Sequence, residues 1–505
     1  MSADSNSPAL RSYGGWQQEK VAFVFGMTGS RAAMLAAAVL AAIVPVATVR
    51  MSAAIVLWPT ALTLAATALI RVQGRTGDEW LAGLVSYHLI TLRRQHRYVG
   101  GPFAPPADGE GHVELPGILA PLRLLSVPAA RRDLAIICHS YDRTYTAVAR
   151  VRFPGIGLAD SARQEQRVAG WGALLASLCA EGSPLTRVQA LQRLVPESGV
   201  ALRSWHDAHA VPGAPELASQ VAGSLLGMPA LAGARREAYL AITMDARRAH
   251  GPVRAAGGGD IGAAAVLVRH LRALAQVLAG AELEVEDWLG VRDLAEVIRT
   301  AYDPDSVIPL AARRAAYVPG RTLEPGTSPT LAGPVYAEAR PGRYIHDGAV
   351  SVAYWVQAWP RSHAFCTALG PLLADGSHRR SFGIIFEPLS PRQAERAVMR
   401  ERTARDVAVR MRQRTGQIVP EHERAATEQA LHQDADRAAG HGLVRFTAYA
   451  AVTVTDPGTV DDACAALEAD AAAARIELRR MWFAQDSGFV LACLPSGMGL
   501  PKRRW

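Results

Sequence analysis

The chain has 505 residues, half of them apolar and 20% charged, enough to bury a large core in more than one domain and unlike a disordered tail or a polytopic transporter. Its net charge of +8 rests almost wholly on arginine, because Lys20 and Lys502 are the only lysines. Arginine and alanine richness points to a GC-rich bacterial genome, and the basic balance suits anionic lipid, nucleic acid or plain solubility.

Residues 1–31 read as an amino-terminal tail in which "SYGGW" (Ser12–Trp16) and "FGMTG" (Phe25–Gly29) put aromatics and turn glycines ahead of an apolar segment. From Ala32 to Val49, and again from Met51 to Ile70, there is no charge, and Arg50 alone separates the runs. At about 1.5 Å per residue each run reaches ~27–30 Å, the thickness of a bilayer core. The pair predicts a transmembrane helical hairpin over 32–70. It starts too late for a secretory signal, and its second run follows at once. Arg11, Lys20 and Arg31 precede it, and Arg71, Arg75, Arg93, Arg94 and Arg97 follow. The positive-inside rule then puts the amino terminus and the bulk of the chain on the cytoplasmic side of the plasma membrane.

Next, Trp80, Leu81, Leu84, Val85, Leu89 and Leu92 recur at helical spacing. Such an amphipathic helix suits either the headgroup layer or the surface of the body. With the linker "GGPFAPPADGEG" (Gly100–Gly111) it forms a juxtamembrane segment, 71–114.

Two α+β domains are expected beyond, 115–303 and 337–505, on either side of a Pro/Gly-rich linker, 304–336. In the first, strands Asp133–Ser140 and Thr144–Phe153 form a hairpin, followed by a helix at Ser161–Ala180 with a Ser161/Gln164 capping box. Strand Arg187–Val195, helical material to about Ala232, strand Glu237–Asp245, helix Ala263–Ala279, strand Leu283–Trp288 and helix Arg292–Ala301 complete it. In the second, strand Tyr344–Trp359, helix His363–Ala374 and strand Arg379–Glu387 lead to a long arginine-rich arm, Pro391–Thr415 and Glu421–Ala439, broken at Gly416–Pro420. Strand Leu443–Thr455 alternates cleanly, helix Val460–Ala474 follows, and a hairpin of Ile476–Phe483 and Phe489–Leu494 closes the chain. Both domains spell the split βαβ order, so the fold class is α+β: a transmembrane hairpin followed by two ferredoxin-like sandwiches, each with helices on one face of its sheet.

No motif with catalytic chemistry emerges. Lys20 follows Glu19 and Lys502 follows Pro501, so neither can be the lysine of a phosphate-binding P-loop. "PGIGLAD" (Pro154–Asp160) and "GGGD" (Gly257–Asp260) do not spell a dinucleotide loop and read as turns. His206 and His209 stand three apart without a third ligand, and Asp461 and Asp462 open a helix, where they offset its dipole. Cys138, Cys179, Cys366, Cys464 and Cys493 lie far apart and read as reduced, buried thiols. The expectation is no catalytic residue, no metal and no cofactor. The arm carries Arg392, Arg396, Arg400, Arg402, Arg405, Arg410, Arg412 and Arg414 against Glu395, Glu401 and Asp406. A solvated face with local ion pairs accounts for most of these, whereas Arg396, Arg400 and Arg410 are candidates for docking an acidic partner. The arm has no aromatic side chain for base stacking, which argues against direct nucleic-acid binding.

"SYGGW", "FGMTGSR", the hairpin, "PGIGLAD" with "AGWGALL" (Ala169–Leu175), "YIHDGAVSVAYWV" (Tyr344–Val356), "RRSFGIIFEPLSP" (Arg379–Pro391), "GHGLVRF" (Gly440–Phe446) and "FAQDSGFVLACLPSGMGLP" (Phe483–Pro501) together resemble a family of actinobacterial membrane proteins related to conjugation-type (type IV) secretion components. The hairpin resembles the small inner-membrane subunit of such systems. The remainder resembles the amino-terminal, non-motor domain of the CagE/TrbE/VirB-type conjugal-transfer ATPase, without its Walker lysine. The resemblance implies a non-catalytic anchoring and docking subunit, open to oligomerisation, that contacts membrane lipid, a separate P-loop secretion ATPase and other secretion subunits. The alternatives are a type VII secretion membrane component, or a membrane-tethered enzyme whose site has no recognised motif.

Overall fold

The computed structural model describes residues 29–48, 51–72, 75–100, 113–129, 133–153, 155, 159–196, 200–211, 213–227, 234–360, 364–374, 376, 378–414 and 421–499. The amino-terminal tail motifs, most of the linker 100–111 and parts of "PGIGLAD" lie outside them.

Helices α1 (Gly29–Ala47) and α2 (Met51–Leu69) form the hairpin. Ala38 in α1 and Ala54, Ala61 and Ala68 in α2 are buried. The last three recur every seven residues, so small side chains line the seam and let the two backbones approach. Larger side chains, among them Leu40, Ile43, Ile55, Val56 and Leu62, point outward. Hydroxyls are returned to their own helices, as Thr60 Oγ1 donates to the Val56 carbonyl at 2.7 Å and Thr67 Oγ1 to that of Leu64 at 2.9 Å, which an apolar surround requires.

Strands β1 (Arg71–Val72) and β2 (Arg75–Thr76) make a small ladder, then α3 (Gly77–Leu92) and β3 (Arg97–Val99) lead into the body. The first α+β part runs β4 (Leu122–Val127), β5 (Leu134–His139), β6 (Thr144–Arg152), α4 (Ser161–Leu178), β7 (Leu185–Pro196), α5 (Val200–His209), α6 (Glu216–Gly227), β8 (Ala234–Asp245), α7 (His250–Ala255), α8 (Gly259–Gly280), β9 (Glu284–Trp288), α9 (Val291–Tyr302) and α10 (Val307–Ala315). The second runs β10 (Tyr336–Ala339), β11 (Tyr344–His346), β12 (Ala349–Ala358), α11 (Gly370–Leu373), β13 (Arg379–Pro388), α12 (Pro391–Arg414), α13 (Glu421–Ala438), β14 (Val444–Val454), α14 (Val460–Ala473), β15 (Glu477–Arg480) and α15 (Gln485–Cys493).

All pairings are antiparallel, and one 13-stranded sheet runs through both parts in the order β3-β10-β11-β12-β14-β13-β7-β8-β6-β5-β4, with β9 beside β6 and β15 beside β12. Within it β9-β6-β8-β7 and β15-β12-β14-β13 each have the ferredoxin-like order. The registers superimpose the two units: Ala149 pairs with Leu240 and Trp288 as Tyr354 pairs with Ala450 and Arg480. Leu240 then pairs with Ala190 as Ala450 pairs with Phe382. At the junction Ala190 faces Ile384 and Gln192 faces Phe382. A two-fold axis through the pair Leu191 and Gly383 therefore exchanges the units, and the two expected sandwiches are fused edge to edge.

Helices cover both faces, rather than the single face expected. On one, α4 and α8 bury Ile136, Leu240 and Ile242 in the first unit, while α14 buries Ala448, Ala450 and Val452 in the second. On the other, α9 and α15 share a core with Val148, Leu191, Ile385 and Tyr449. α8 is long and apolar enough to cross a membrane by length and composition, but Ala263, Val266, Leu267, Leu271 and Leu278 are built into the first-face core with Ile136, Leu240 and Ile242.

Five local expectations change. Phe489–Leu494 is not a strand, because Phe489–Cys493 forms the buried end of helix α15, and a short run with no polar face has no readable period. Tyr344–Trp359 is not one strand but the tight hairpin β11–β12, turned by Asp347 and Gly348 at positive φ. Helix His363–Ala374 shrinks to Gly370–Leu373, with residues 361–363 outside the description. The cap of α4 is Asp160, which accepts from the Arg163 amide at 3.2 Å, rather than Ser161. The stretch 304–334 contains α10 and is tied to α9, since Arg292 Nε donates to the Pro325 carbonyl at 3.0 Å and Arg299 to that of Gly333 at 2.9 Å.

Candidate functional site: a membrane anchor and an arginine-faced arm

The hairpin is closed at its base by Arg31. Its Nε and Nη2 both donate to the Ala68 carbonyl, at 2.9 and 2.8 Å, although the side chain is buried. A helix leaves its last carbonyls unpaired, so this guanidinium supplies a missing partner and fixes the two ends together. α3 then starts against α2: a Cβ on Gly77 would lie 2.2 Å from the Thr67 carbonyl oxygen, so only glycine allows the approach.

α3 docks on the body through one side. Trp80 meets Trp482 and Phe483 with ring centres 5.8 and 5.6 Å apart, and Tyr87 meets Phe483 at 5.7 Å. Glu79 pairs with the nearly buried Arg479, and the Tyr87 hydroxyl donates to the Ala339 carbonyl at 3.2 Å. The spacing of Trp80 and its apolar neighbours was legible, but Glu79 and Tyr87 as docking groups were not. Gly83, which admits the Phe483 ring, was the available signal.

The arm α12–α13 leaves the body between β13 and β14, the position that α5–α6 occupy between β7 and β8. Arg402 pairs with Asp434 across the arm, Arg437 with Asp434 at 3.1 Å, and Arg405 with Glu401 at 2.6 Å. Their charges are spent internally, and the two arginines hold the Asp434 carboxyl below its usual range. Arg396, Arg400 and Arg410 differ: all three are exposed and enter no ion pair among the described residues. Helical spacing brings them onto one stripe with Met399, Val407 and Arg414, also exposed. None of the acids of α12 (Glu395, Glu401, Asp406) falls within that stripe.

Under the seam lies a polar cluster that sequence reasoning missed. Arg193, 1% exposed, donates to Glu237 at 2.7 Å and to the Val297 carbonyl at 2.8 Å. Burial opposes charge on Glu237, yet Arg193 holds its carboxyl down to about 2. Gln189 Nε2 donates to the Leu491 and Leu494 carbonyls at 3.2 and 2.9 Å, and its Oε1 accepts from the Gly497 amide at 2.9 Å. Arg193 therefore ties β7 to the middle of α9, and Gln189 serves carbonyls at the end of α15, both structural tasks. His346 is equally enclosed: its Nδ1–H donates to the Tyr302 carbonyl and its Nε2 accepts from Ser351 at 2.8 Å. Burial pushes this imidazole down to about 4.

Of the other sequence candidates, His209 stacks on Trp205 and uses Nδ1 on the Trp205 carbonyl at 2.8 Å. No group of three or more His, Cys, Asp or Glu side chains is arranged to hold a metal among the described residues. Cys138, Cys179, Cys464 and Cys493 are buried, Cys366 is half-buried, and all five are free thiols. A broad open depression of about 710 Å³ lies beside α4, lined by Asp160, Arg163, Arg167 and Glu282. Both arginines there already pair with Glu282.

The chain thus joins a two-helix hairpin, apolar and of a length that suits a bilayer, to an α+β body. Residues 232–356 match the family model described as putative type VII ESX secretion system translocon, EccE. That span runs from β8 through α9 to most of β12 and includes the motif Tyr344–Val356. The match supports a membrane component of a secretion system, and it favours the type VII alternative over the type IV resemblance. No curated protein matches the chain.

Proposed function

We propose that this chain is a non-catalytic anchoring and docking subunit of a type VII secretion translocon. The hairpin α1–α2 holds it in the plasma membrane with its amino terminus and body on the cytoplasmic side, and a separate P-loop ATPase supplies the energy. The observation that carries this reading is the match of residues 232–356 to a type VII translocon family, in a chain that also bears an apolar hairpin. The arm adds a docking surface: Arg396, Arg400 and Arg410 would steer an acidic partner surface onto α12, where Met399 and Val407 supply apolar contact. Other secretion subunits and lipid are the remaining partners.

Isolation of the tagged full chain from native membranes, with identification of what accompanies it, tests the proposal. Type VII membrane subunits and an ATPase are expected in the isolate. Conjugation-type subunits in their place would return the type IV reading, and ATP turnover that survives purification and is abolished by a point substitution in this chain would make it an enzyme.

A further inference from the structure

α3 has two apolar sides, and the body covers only one. Glu79, Trp80, Gly83 and Tyr87 meet Arg479, Trp482 and Phe483. On the opposite side Leu81, Leu84, Val85, Leu89 and Leu92 are between 49% and 68% exposed. Positions 81, 85, 89 and 92 fall on one stripe of a helix, so these leucines and the valine form a continuous apolar strip interrupted only by His88. A helix apolar on both sides needs two apolar neighbours.

The position of α3 says what the second neighbour is. Its first residue, Gly77, packs on Thr67 in the last turns of α2, so the strip begins where the outward-facing apolar surface of the hairpin ends. Arg93 and Arg94, both exposed, follow its last turn. That sequence of features, from lipid-facing helix to apolar strip to exposed guanidinium groups, is the order in which a chain leaves the hydrocarbon for an anionic headgroup layer. We infer that α3 lies in the plane of the membrane surface, with Leu81, Val85, Leu89 and Leu92 sunk among the lipids of the leaflet on the body's side and Trp80 and Tyr87 clamping the body from the other side. The inference rests on the reading of α1–α2 as membrane-spanning. It makes the body a unit seated on the bilayer rather than one swinging from a tether.

The test uses the full chain with Cys366→Ser, reconstituted in vesicles of phosphatidylcholine and phosphatidylglycerol and carrying one nitroxide at a time. Labels are placed by Val85→Cys, Leu89→Cys, Ile55→Cys in the hairpin and Tyr141→Cys in the β5–β6 turn. Collision with oxygen, which favours lipid, is compared with collision with a water-soluble nickel chelate. The ratio of oxygen to nickel accessibility at Val85 and Leu89 is expected to exceed that at Tyr141 several-fold and to fall below that at Ile55. Nickel access at Val85 and Leu89 equal to that at Tyr141 would overturn the inference while a lipid-buried Ile55 left the hairpin standing; a water-exposed Ile55 would overturn both. Protection of Val85 and Leu89 from both reagents would mean that protein covers the strip, which also contradicts a lipid neighbour.

Discussion

The two ferredoxin-like units share a topology and a register but not a division of labour. At the axis between them, the first unit places Leu191 and the second Gly383. On either side, the first offers Gln189 and Arg193 where the second, by the two-fold, offers Ser381 and Ile385. The polar ties to both face helices thus come from β7, whereas β13 is thin enough for α15 to lie close: a Cβ on Gly383 would sit 2.9 Å from the Leu491 oxygen. The connections inserted after these strands diverge as well. α5–α6 exposes Trp205, Val211 and Leu217, while α12–α13 exposes arginines. The shared order holds the fold, and the departures from symmetry set different surfaces on the two units.

That comparison can be broken at several points, the largest effect first. Arg193→Met should leave the largely enclosed Glu237 with the Tyr239 hydroxyl but without its paired guanidinium and cost about 3 kcal/mol, read as a lowered midpoint in thermal unfolding of the detergent-solubilised chain. Adding Glu237→Gln should recover part of it, whereas Ile385→Met, the symmetry-related change, should cost less than about 1.5 kcal/mol.

The second effect is a pH dependence. His346 has a native value of about 4 against an ordinary 6.5, so the unfolded chain takes up a proton that the folded chain refuses. The stability this neutral imidazole contributes is complete above about pH 6.5 and is lost as pH falls toward 4, a loss approaching 3 kcal/mol at the bottom of that window, roughly. His346→Gln should flatten the dependence between those limits. An unchanged slope would mean that the imidazole is not held neutral.

Gly383→Ala should cost about 1–3 kcal/mol by forcing α15 off the sheet, while Leu191→Ala across the axis should act as an ordinary cavity. The smallest effect on folding belongs to the arm. Arg396→Glu, Arg400→Glu and Arg410→Glu together should leave the unfolding midpoint within about 0.5 kcal/mol of the parent, yet weaken co-isolation with an ATPase partner, with the difference from the parent largest at low salt. Loss of vesicle binding with normal co-isolation would assign these arginines to lipid instead.

Much of this architecture could be read from the chain because its cues are local. The alternation of Ala448, Ala450 and Val452 marked the core face of β14, and the arginine content of 391–415 marked an arm. The seam was hidden, because Leu191 and Gly383 meet only through pairing across some two hundred positions that no local pattern encodes. Burial on every side hid α15, and the Asp347–Gly348 turn was lost inside a run of apolar residues. For the candidate surfaces, Arg396, Arg400 and Arg410 were legible as charge. That their stripe with Met399 and Val407 is exposed, while Arg402 and not they meets Asp434, depends on how α12 and α13 pack.

Anchoring by α1–α2 is the claim on which the rest stands, and alkaline carbonate extraction of membranes holding either the full chain or a chain lacking residues 1–74 tests it most directly. Carbonate strips proteins held at the headgroups but leaves spanning helices in place. The account predicts the full chain in the membrane pellet and the shortened chain, folded, in the supernatant. Recovery of the full chain in the supernatant, or of the shortened chain in the pellet, would contradict it.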